Sequence, residues 1–218
     1  MRWDDFFEDL ESQLDAEWES ERAALNTETE RLRVARLALR TRLTSLIADG
    51  AVVTVRAAGV SGSGRVVGVG ADWLAIVADD GGAGYHAASS EPGRRSADLW
   101  DATASGDGLA LYPLAAIRTV QTEHAAILRS ALPATEDELS GRVVFGFLMR
   151  DLARRRRPVT VRLVDGEILH GTIDRAGADH LDLAVHESGR PRRASEVRAH
   201  IVIPFAAIGQ VRTVGTMV

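Results

Sequence analysis

The chain repeats three short sequence blocks in the same order, and this repetition constrains its fold more than any other feature. The blocks are VTVR at 53–56 and 159–162, GADWL at 70–74 and GADHL at 177–181, and PLAAI at 113–117 and PFAAI at 204–208. Self-similarity in a fixed order is typical of a duplicated structural unit. We therefore predict two copies of one small domain.

Alternation of apolar with polar or small residues predicts that the repeated unit is built from β-strands with one buried face. In the second copy, Asp165-Gly166 separates two such stretches and is typical of a tight hairpin turn. Gly171 would permit a sharp bend in the return strand. The predicted strands lie in residues 51–77 and 109–120 of the first copy and in residues 159–173, 181–185 and 201–211 of the second.

Residues 2–48 contain no glycine or proline and predict helix, with leucines every seven residues at positions 32, 39 and 46. The segment is either one long helix or two helices joined near Asn26, because Thr27 and Glu30 fit a capping box. Two interpretations stay open for it. It packs on its own β domain, or it forms a coiled-coil dimerisation arm, since 45 residues of helix exceed what a small domain can cover.

The second copy resembles the Sm-like fold over VTVRLVDGEILHGTIDRAGADHLDLAV (residues 159–185) and HIVIPFAAIGQVRT (residues 200–213). In that family a helix precedes a strongly bent, five-stranded antiparallel barrel, and the resemblance implies the same for each half of this chain. The whole chain is also similar to a group of actinobacterial proteins that open with Met-Arg-Trp and carry a DR-x-G-AD stretch, here Asp174–Asp179.

The resemblance implies a fold more than an activity. Sm-like proteins bind RNA through the Asp turn and the short strand pair near the end, where the bacterial RNA chaperone Hfq has Tyr-Lys-His. This chain has Pro204-Phe205-Ala206 there, and Pro113-Leu114-Ala115 in the first copy. Some of the actinobacterial proteins carry the label of Fis-type transcription regulators, but no helix-turn-helix is predicted, because the C-terminal segment has a strand pattern.

The predicted fold class is therefore α+β, with a long N-terminal helix followed by two tandem repeats of a helix and a small antiparallel Sm-like β-barrel. The first barrel would carry a long mobile insertion at residues 79–108, a glycine-rich stretch with few apolar residues. The predicted domains are residues 1–50 as the acidic helix or helix pair, 51–122 as the first barrel, 123–157 as a connector with the second helix, and 158–214 as the second barrel.

Charge is segregated along the chain. Residues 1–30 carry 11 acidic side chains and 2 arginines, whereas residues 142–218 carry 13 arginines and 8 acidic side chains. The acidic front could meet the basic rear, within one molecule or between copies. The overall net charge of −5 argues against indiscriminate nucleic-acid binding.

The sharpest candidate site is a run of arginines that precedes the second β copy. It could hold phosphates together with arginines from the loop at 187–199. Alternatively, these arginines complement the C-terminal end of a helix and stay solvated, or they bind the protein's own acidic helix. The candidate residues for binding nucleic acid or an acidic partner are Arg154, Arg155, Arg156, Arg157, Arg190, Arg192 and Arg193.

No catalytic residue, metal ligand or cofactor is predicted. Four histidines lie in the second copy, at positions 170, 180, 186 and 200, but no carboxylate spacing completes a metal-binding pattern. Gly59–Gly64 leads from strand to strand, whereas a phosphate-binding glycine loop leads into a helix. Asp72 and Asp179 are interpreted as turn residues that bind the local backbone.

We therefore predict a non-enzymatic binding or scaffold protein that self-associates through its helix or its strand edges. A protein partner fits the same pattern, and a regulatory RNA- or DNA-binding protein is the less favoured alternative. The chain has no cysteine and no apolar run long enough for a membrane span, and it opens on acidic residues unlike a signal peptide. These features predict a cytoplasmic protein without membrane contact.

Overall fold

The computed structural model describes residues 18, 19, 22, 25–57, 60–78, 108–132, 140–188 and 192–213. The chain divides into two compact units, residues 1–38 and residues 39–218. The predicted insertion at 79–108, apart from Gly108, and the candidate residue Arg190 lie outside the described residues.

In the described part of the first unit, residues 18, 19 and 22 are helical and residues 25–35 form a continuous helix, which we call α1. The helix ends where the Arg36 amide is shared between the carbonyls of Leu32 and Arg33, and residues 37–38 are not helical. The prediction of a long N-terminal helix is therefore wrong. Asn26 lies inside α1, but residues 23–24 lie outside the described residues, so a helix pair joined near Asn26 stays a prediction. Neither glycine nor proline occurs at the break, and the seven-residue leucine pattern continues across it. The sequence therefore contains no local signal for the end of α1.

In its described residues, the second unit begins with helix α2 (Leu39–Ala48) and contains ten strands. Two further helices, α3 (His124–Arg129) and α4 (Phe145–Arg155), connect the two halves of the sheet. The strands are β1 (Val52–Ala57), β2 (Val60–Val69), β3 (Trp73–Ala78), β4 (Leu109–Pro113), β5 (Ile117–Gln121), β6 (Pro158–Leu163), β7 (Ile168–Ala176), β8 (His180–Val185), β9 (Ala199–Pro204) and β10 (Ile208–Thr213).

All ten strands form one antiparallel sheet in the order β5-β1-β2-β3-β4-β10-β6-β7-β8-β9. The first half of the sheet is β1–β5 and the second half is β6–β10. In each half the fifth strand lies outside the first, since β5 pairs with β1 and β10 pairs with β6. The halves join where β4 pairs with β10, with Leu111 opposite Val211, Ala110 opposite Arg212 and Leu109 opposite Thr213. We call this pairing the internal junction.

The predicted pair of closed barrels is wrong, because the described strands form a single open sheet. Closing the first half would require β4 to pair with β5, but β4 already pairs with β3 on one side and β10 on the other. Closing the second half would require β9 to pair with β10, whose two sides are taken by β6 and β4. Each strand has only two hydrogen-bonding edges, so the internal junction excludes closure of either half.

Two apolar clusters lie on opposite faces of the first half of the sheet. One contains Leu43 and Leu46 of α2 together with Leu74 and Ile76 of β3. The other is shared between the halves: it joins Trp73, Leu109 and Leu111 to residues of α4 and the second half. Successive residues of β3 and β4 therefore serve different cores, as the two-residue period of a strand requires.

The turn after the second strand of each half is built alike. The amide of Gly70 donates to the Trp73 carbonyl, and the amide of Gly177 donates to the His180 carbonyl. The Asp72 carboxylate, predicted to bind the local backbone, accepts the distant Phe145 amide at 2.6 Å. This contact, with the Trp73 indole donating to the Val143 carbonyl at 2.9 Å, fixes the start of α4 on the first half.

Candidate functional site

The arginine run lies at the C-terminal end of α4, as its position before the second copy predicts. Arg154 and Arg155 both donate to Asp151, which lies about one turn earlier on the same helix face, at 2.5 and 2.7 Å. Arg156 ends the helix with φ 53°, a left-handed conformation that closes many helices. The guanidinium groups of Arg154 and Arg155 thus share a single carboxylate of their own helix.

Asp174 of β7 brings together two predicted site residues that are far apart in the sequence. Arg156 donates to one carboxylate oxygen of Asp174 and Arg192 donates to the other, each at 2.7 Å. The Nδ1 atom of His200 lies 3.7 Å from the same carboxylate. The end of α4, the loop after β8 and strand β9 therefore meet at Asp174.

The electrostatics of Asp174 follow from these neighbours. Burial by itself would raise the pKa of Asp174, but the hydrogen bond from Arg192 and the charges of Arg192, Arg156 and His200 outweigh it. The pKa of Asp174 is therefore below its ordinary value. The pKa of Asp151 is lowered in the same way, with burial opposing it and Arg154 and Arg155 prevailing.

Several predicted site arginines thus bind carboxylates of their own half. Arg198, in the same loop, also binds a carboxylate, that of Glu187. Arg193 is exposed, and Arg190 lies outside the described residues. Exposed ion pairs contribute only about 0.2–1 kcal/mol each, so a phosphate could compete with the carboxylates for these guanidinium groups.

The histidines of the second half bind neighbouring groups individually. His170 lies 2.9 Å from the Thr160 hydroxyl, and the buried His186 lies 2.9 Å from the Thr172 hydroxyl. His180 contacts the Asp179 carboxylate, and its hydrogen bond is the main reason that the pKa of Asp179 is lowered. Within the described residues, no three histidine or carboxylate side chains are grouped so that they could hold a metal ion.

A second candidate surface, which the sequence predicts only in general terms as strand edges, consists of the outer sides of β5 and β9. These strands end the sheet, and no described strand pairs with their outer sides. On β9, Val202 exposes 64% of its surface and His200 is also exposed. On β5, Arg118, Thr119 and Gln121 are exposed. We call these surfaces the β5 edge and the β9 edge.

The signal for these two edges is present in the repeat. PLAAIRTVQT (113–122) aligns with PFAAIGQVRT (204–213) without a gap, so β5 and β10 are equivalent strands. The alignment does not show which strand, if any, pairs with the outer side of β5 or of β10. The order of the strands in the sheet shows it.

No helix in the described part of the chain combines the length and apolarity needed to cross a membrane. No family model, curated protein or solved structure matches the chain.

Proposed function

We propose that this protein is a non-enzymatic scaffold that self-associates through the edges of its β-sheet. The observation that carries the proposal is the pair of strands β5 and β9, one at each end of a ten-stranded sheet. The unpaired N–H and C=O groups of an edge strand are a template for pairing with another chain. Natural proteins usually place charges on such edges, whereas β9 presents the exposed apolar side chain of Val202.

The grouping of charged side chains supports binding over catalysis. The arginines at the end of α4 and in the loop after β8 meet carboxylates, at Asp151, Asp174 and Glu187. Such pairs shape a surface, whereas catalysis needs a nucleophile or a base held within reach of a reacting group. We therefore place these arginines on the surface of an assembly and assign them no catalytic role.

The test is size-exclusion chromatography with light scattering, at low and high salt and over a wide range of protein concentration, with absorbance read at 260 and 280 nm. A scaffold of this kind elutes as a multiple of the chain mass, free of nucleic acid. Its assembly changes little with salt, because hydrogen bonds between strand backbones are not screened as exposed charges are. A monomer at every concentration would contradict the proposal.

One observation favours a second candidate, binding of RNA or DNA. The side chains of Arg154 and Arg156 expose 75% and 59% of their surface at one end of α4, where phosphates could reach them. In that case the protein retains nucleic acid at low salt and loses it steeply as the salt concentration rises. Replacing Arg154, Arg155, Arg156 and Arg157 with serine then abolishes the retained 260 nm absorbance while the melting curve stays cooperative.

A further inference from the structure

Two arginines in the middle of the sheet differ from those at the end of α4. They are Arg162 of β6 and Arg212 of β10, and both are half-buried. In the part of the chain that the structure describes, neither guanidinium group binds a carboxylate, and the buried Nε atom of Arg162 has no hydrogen-bond partner. By contrast, Arg156 and Arg192 share the carboxylate of Asp174. The two central arginines are therefore cations without a counter-charge.

The register of β6 and β10 places these two arginines beside each other on one face of the sheet. Val161 lies opposite Val211, and both are buried in the apolar cluster that the two halves share. Arg212 lies opposite Thr160, so Arg162 is its diagonal neighbour on the face turned away from that cluster. Diagonal neighbours on paired strands are about 7–8 Å apart, within reach of long side chains. One ligand can therefore contact both guanidinium groups.

The three strands around this pair carry no acidic side chain. Strands β4, β6 and β10 contain neither aspartate nor glutamate. The phenol of Tyr112 on β4 lies close enough that the charges of Arg212 and Arg162 act to lower its pKa. Burial outweighs these charges, so the pKa of Tyr112 is raised and the phenol stays neutral. The phenol therefore does not neutralise either arginine.

This arrangement costs free energy in the absence of a ligand. A guanidinium group cannot be deprotonated in a protein, so both positive charges persist. Arg162 and Arg212 are partly removed from water, which strengthens the repulsion between them. The buried Nε–H group of Arg162 has also lost its hydrogen bond to water without a replacement. A bound anion offsets the repulsion and supplies an acceptor.

We infer that Arg162 and Arg212 form a binding site for a small phosphate monoester. Guanidinium groups bind phosphate oxygens in bidentate geometry. A phosphate monoester carries a charge of about −1.5 to −2 at pH 7, which matches two arginines, whereas each phosphate of RNA or DNA carries a single charge. The aromatic side chain of β4, β6 and β10 is that of Tyr112, which is fully buried and gives a nucleic-acid base no surface for stacking. The site is separate from the sheet edges and from the arginines at the end of α4.

Isothermal titration calorimetry tests the site, with inorganic phosphate and glycerol phosphate as probes at constant ionic strength. Saturable binding of one phosphate per chain is expected for both probes. Dimethyl phosphate, a diester with a single charge, is expected to bind more weakly. Arg162→Gln and Arg212→Gln are each expected to weaken phosphate binding by about 10- to 100-fold, the usual effect of losing a hydrogen bond to a charged group.

Arg175→Gln is the matched control. Arg175 is an exposed arginine of β7 in the same half of the sheet, so its substitution removes the same charge outside the site. Phosphate binding by this variant is expected to equal that of the natural chain. Replacing Arg154 to Arg157 with serine is a second control. It is expected to leave phosphate binding unchanged, which separates this site from the second candidate function.

Thermal melts without phosphate separate a binding role from a structural one. Each glutamine variant removes one of two repelling charges, so its melting temperature is expected to stay unchanged or to rise. If a glutamine variant unfolds, Arg162→Lys keeps the charge and is still expected to weaken phosphate binding, because an ammonium group lacks the bidentate geometry.

Three outcomes overturn the inference. They are no saturable binding by the natural chain at millimolar phosphate, an equal loss of affinity in Arg175→Gln, and equal affinities for phosphate and dimethyl phosphate. A chain that stays monomeric in light scattering but binds phosphate through Arg162 and Arg212 contradicts the scaffold proposal and supports this inference.

Discussion

Individual residues at the internal junction hold the halves together by a buried polar contact. The amide of Gln210 on β10 donates to the hydroxyl of Tyr112 on β4, and Tyr112 is fully buried. Burial raises the pKa of Tyr112, so the phenol stays neutral at physiological pH. The equivalent positions at the sheet ends are Thr119 and Ile203, which cannot form this bond. The contact is therefore particular to the internal junction.

Gly62 on β2 gives the first prediction, because a Cβ atom there would overlap the Tyr112 hydroxyl oxygen. Alanine in place of glycine within a strand normally stabilises by roughly 0.5–1 kcal/mol. Gly62→Ala is instead expected to destabilise the protein by about 1–3 kcal/mol, the usual cost of overpacking a core. Urea unfolding of the variant measures the change.

Tyr112→Phe supplies the control. It removes the overlapping oxygen, and the next atoms that the new Cβ would meet lie 3.6 and 3.7 Å away. Gly62→Ala should therefore cost much less in the Tyr112→Phe background than in the natural chain. Equal costs in the two backgrounds would mean that the hydroxyl is not the obstacle.

Asp174 gives the second prediction, through its lowered pKa. A carboxyl group whose pKa is lower in the folded state than in the unfolded state adds stability at pH values above its unfolded pKa of about 3.9. That stability is lost as the pH falls through the folded-state pKa. Asp174→Asn is expected to lower stability at neutral pH by about 1 kcal/mol, with the difference from the natural chain vanishing in acid.

Thermal melts from neutral pH down to strong acid measure this difference. Asp182→Asn, on the neighbouring strand β8, controls for the loss of one negative charge. A constant difference between Asp174→Asn and the natural chain over the whole pH range would show that the ion pairs with Arg156 and Arg192 are not its source.

At the scale of elements, local patterns predicted the second half of the sheet better than the helices. The hairpin of β6 and β7 is confirmed, with Val161 opposite Leu169. Its turn is longer than the two residues expected: Gly166 has φ 97°, and the Asp165 carboxylate accepts the Glu167 amide. The second helix predicted within residues 123–157 corresponds to α4, which begins at Phe145, where Asp72 of the first half accepts the Phe145 amide.

Strand β8 gives the third prediction. Leu183 is fully buried, in the cluster that also contains Trp73 and Leu111 of the first half. Leu183→Asp places an unpaired charge there and is expected to cost about 4 kcal/mol or more. Because the cluster spans both halves, we expect the whole sheet to lose its cooperative melt, rather than the second half alone. Circular dichroism during heating measures the cooperativity and the midpoint of the melt.

Val164→Asp is the matched control for Leu183→Asp. Val164 lies in the β6–β7 turn and exposes 39% of its surface, so an added carboxylate stays in water. Its melting temperature is expected to stay close to that of the natural chain. A cooperative, unshifted melt of Leu183→Asp itself would contradict the register in which β8 pairs with β7 and β9.

At the scale of the whole molecule, the open sheet leads to the fourth prediction. Val202→Lys places a charge on the β9 edge, a substitution that natural edge strands use to prevent pairing. It is expected to shift the protein toward monomer in light scattering without changing its melt, because Val202 is mostly exposed within one chain. Val52→Lys, on a strand paired on both sides, is expected to leave the assembly unchanged.

The arginine cluster shows why part of the candidate site was predictable. Arg154 to Arg157 are contiguous, so their common location follows from the chain itself. Their partners do not: Asp151 lies on the same helix, but Asp174 reaches Arg156 and Arg192 only because β7 runs beside the end of α4 and the loop after β8. By charge alone, the acidic N-terminal segment is an equally good partner for these arginines, because net charge does not specify which residues lie close together in the folded chain.

The amino-acid order is sufficient to predict which residues of a strand face a core, because alternation is a local property that repeats every two residues. Val159, Val161, Leu181 and Leu183 are buried as their alternation indicates. Strand β4 has two possible partners, β5 of its own half and β10 of the other half. Both pairings use backbone N–H and C=O groups, which every residue but proline carries alike, so these groups do not distinguish the two partners. Two equivalent halves offer equivalent edges, so the choice between closed barrels and one open sheet depends on packing across the shared core between α4, Trp73 and Leu111. That packing exists only once the halves have come together.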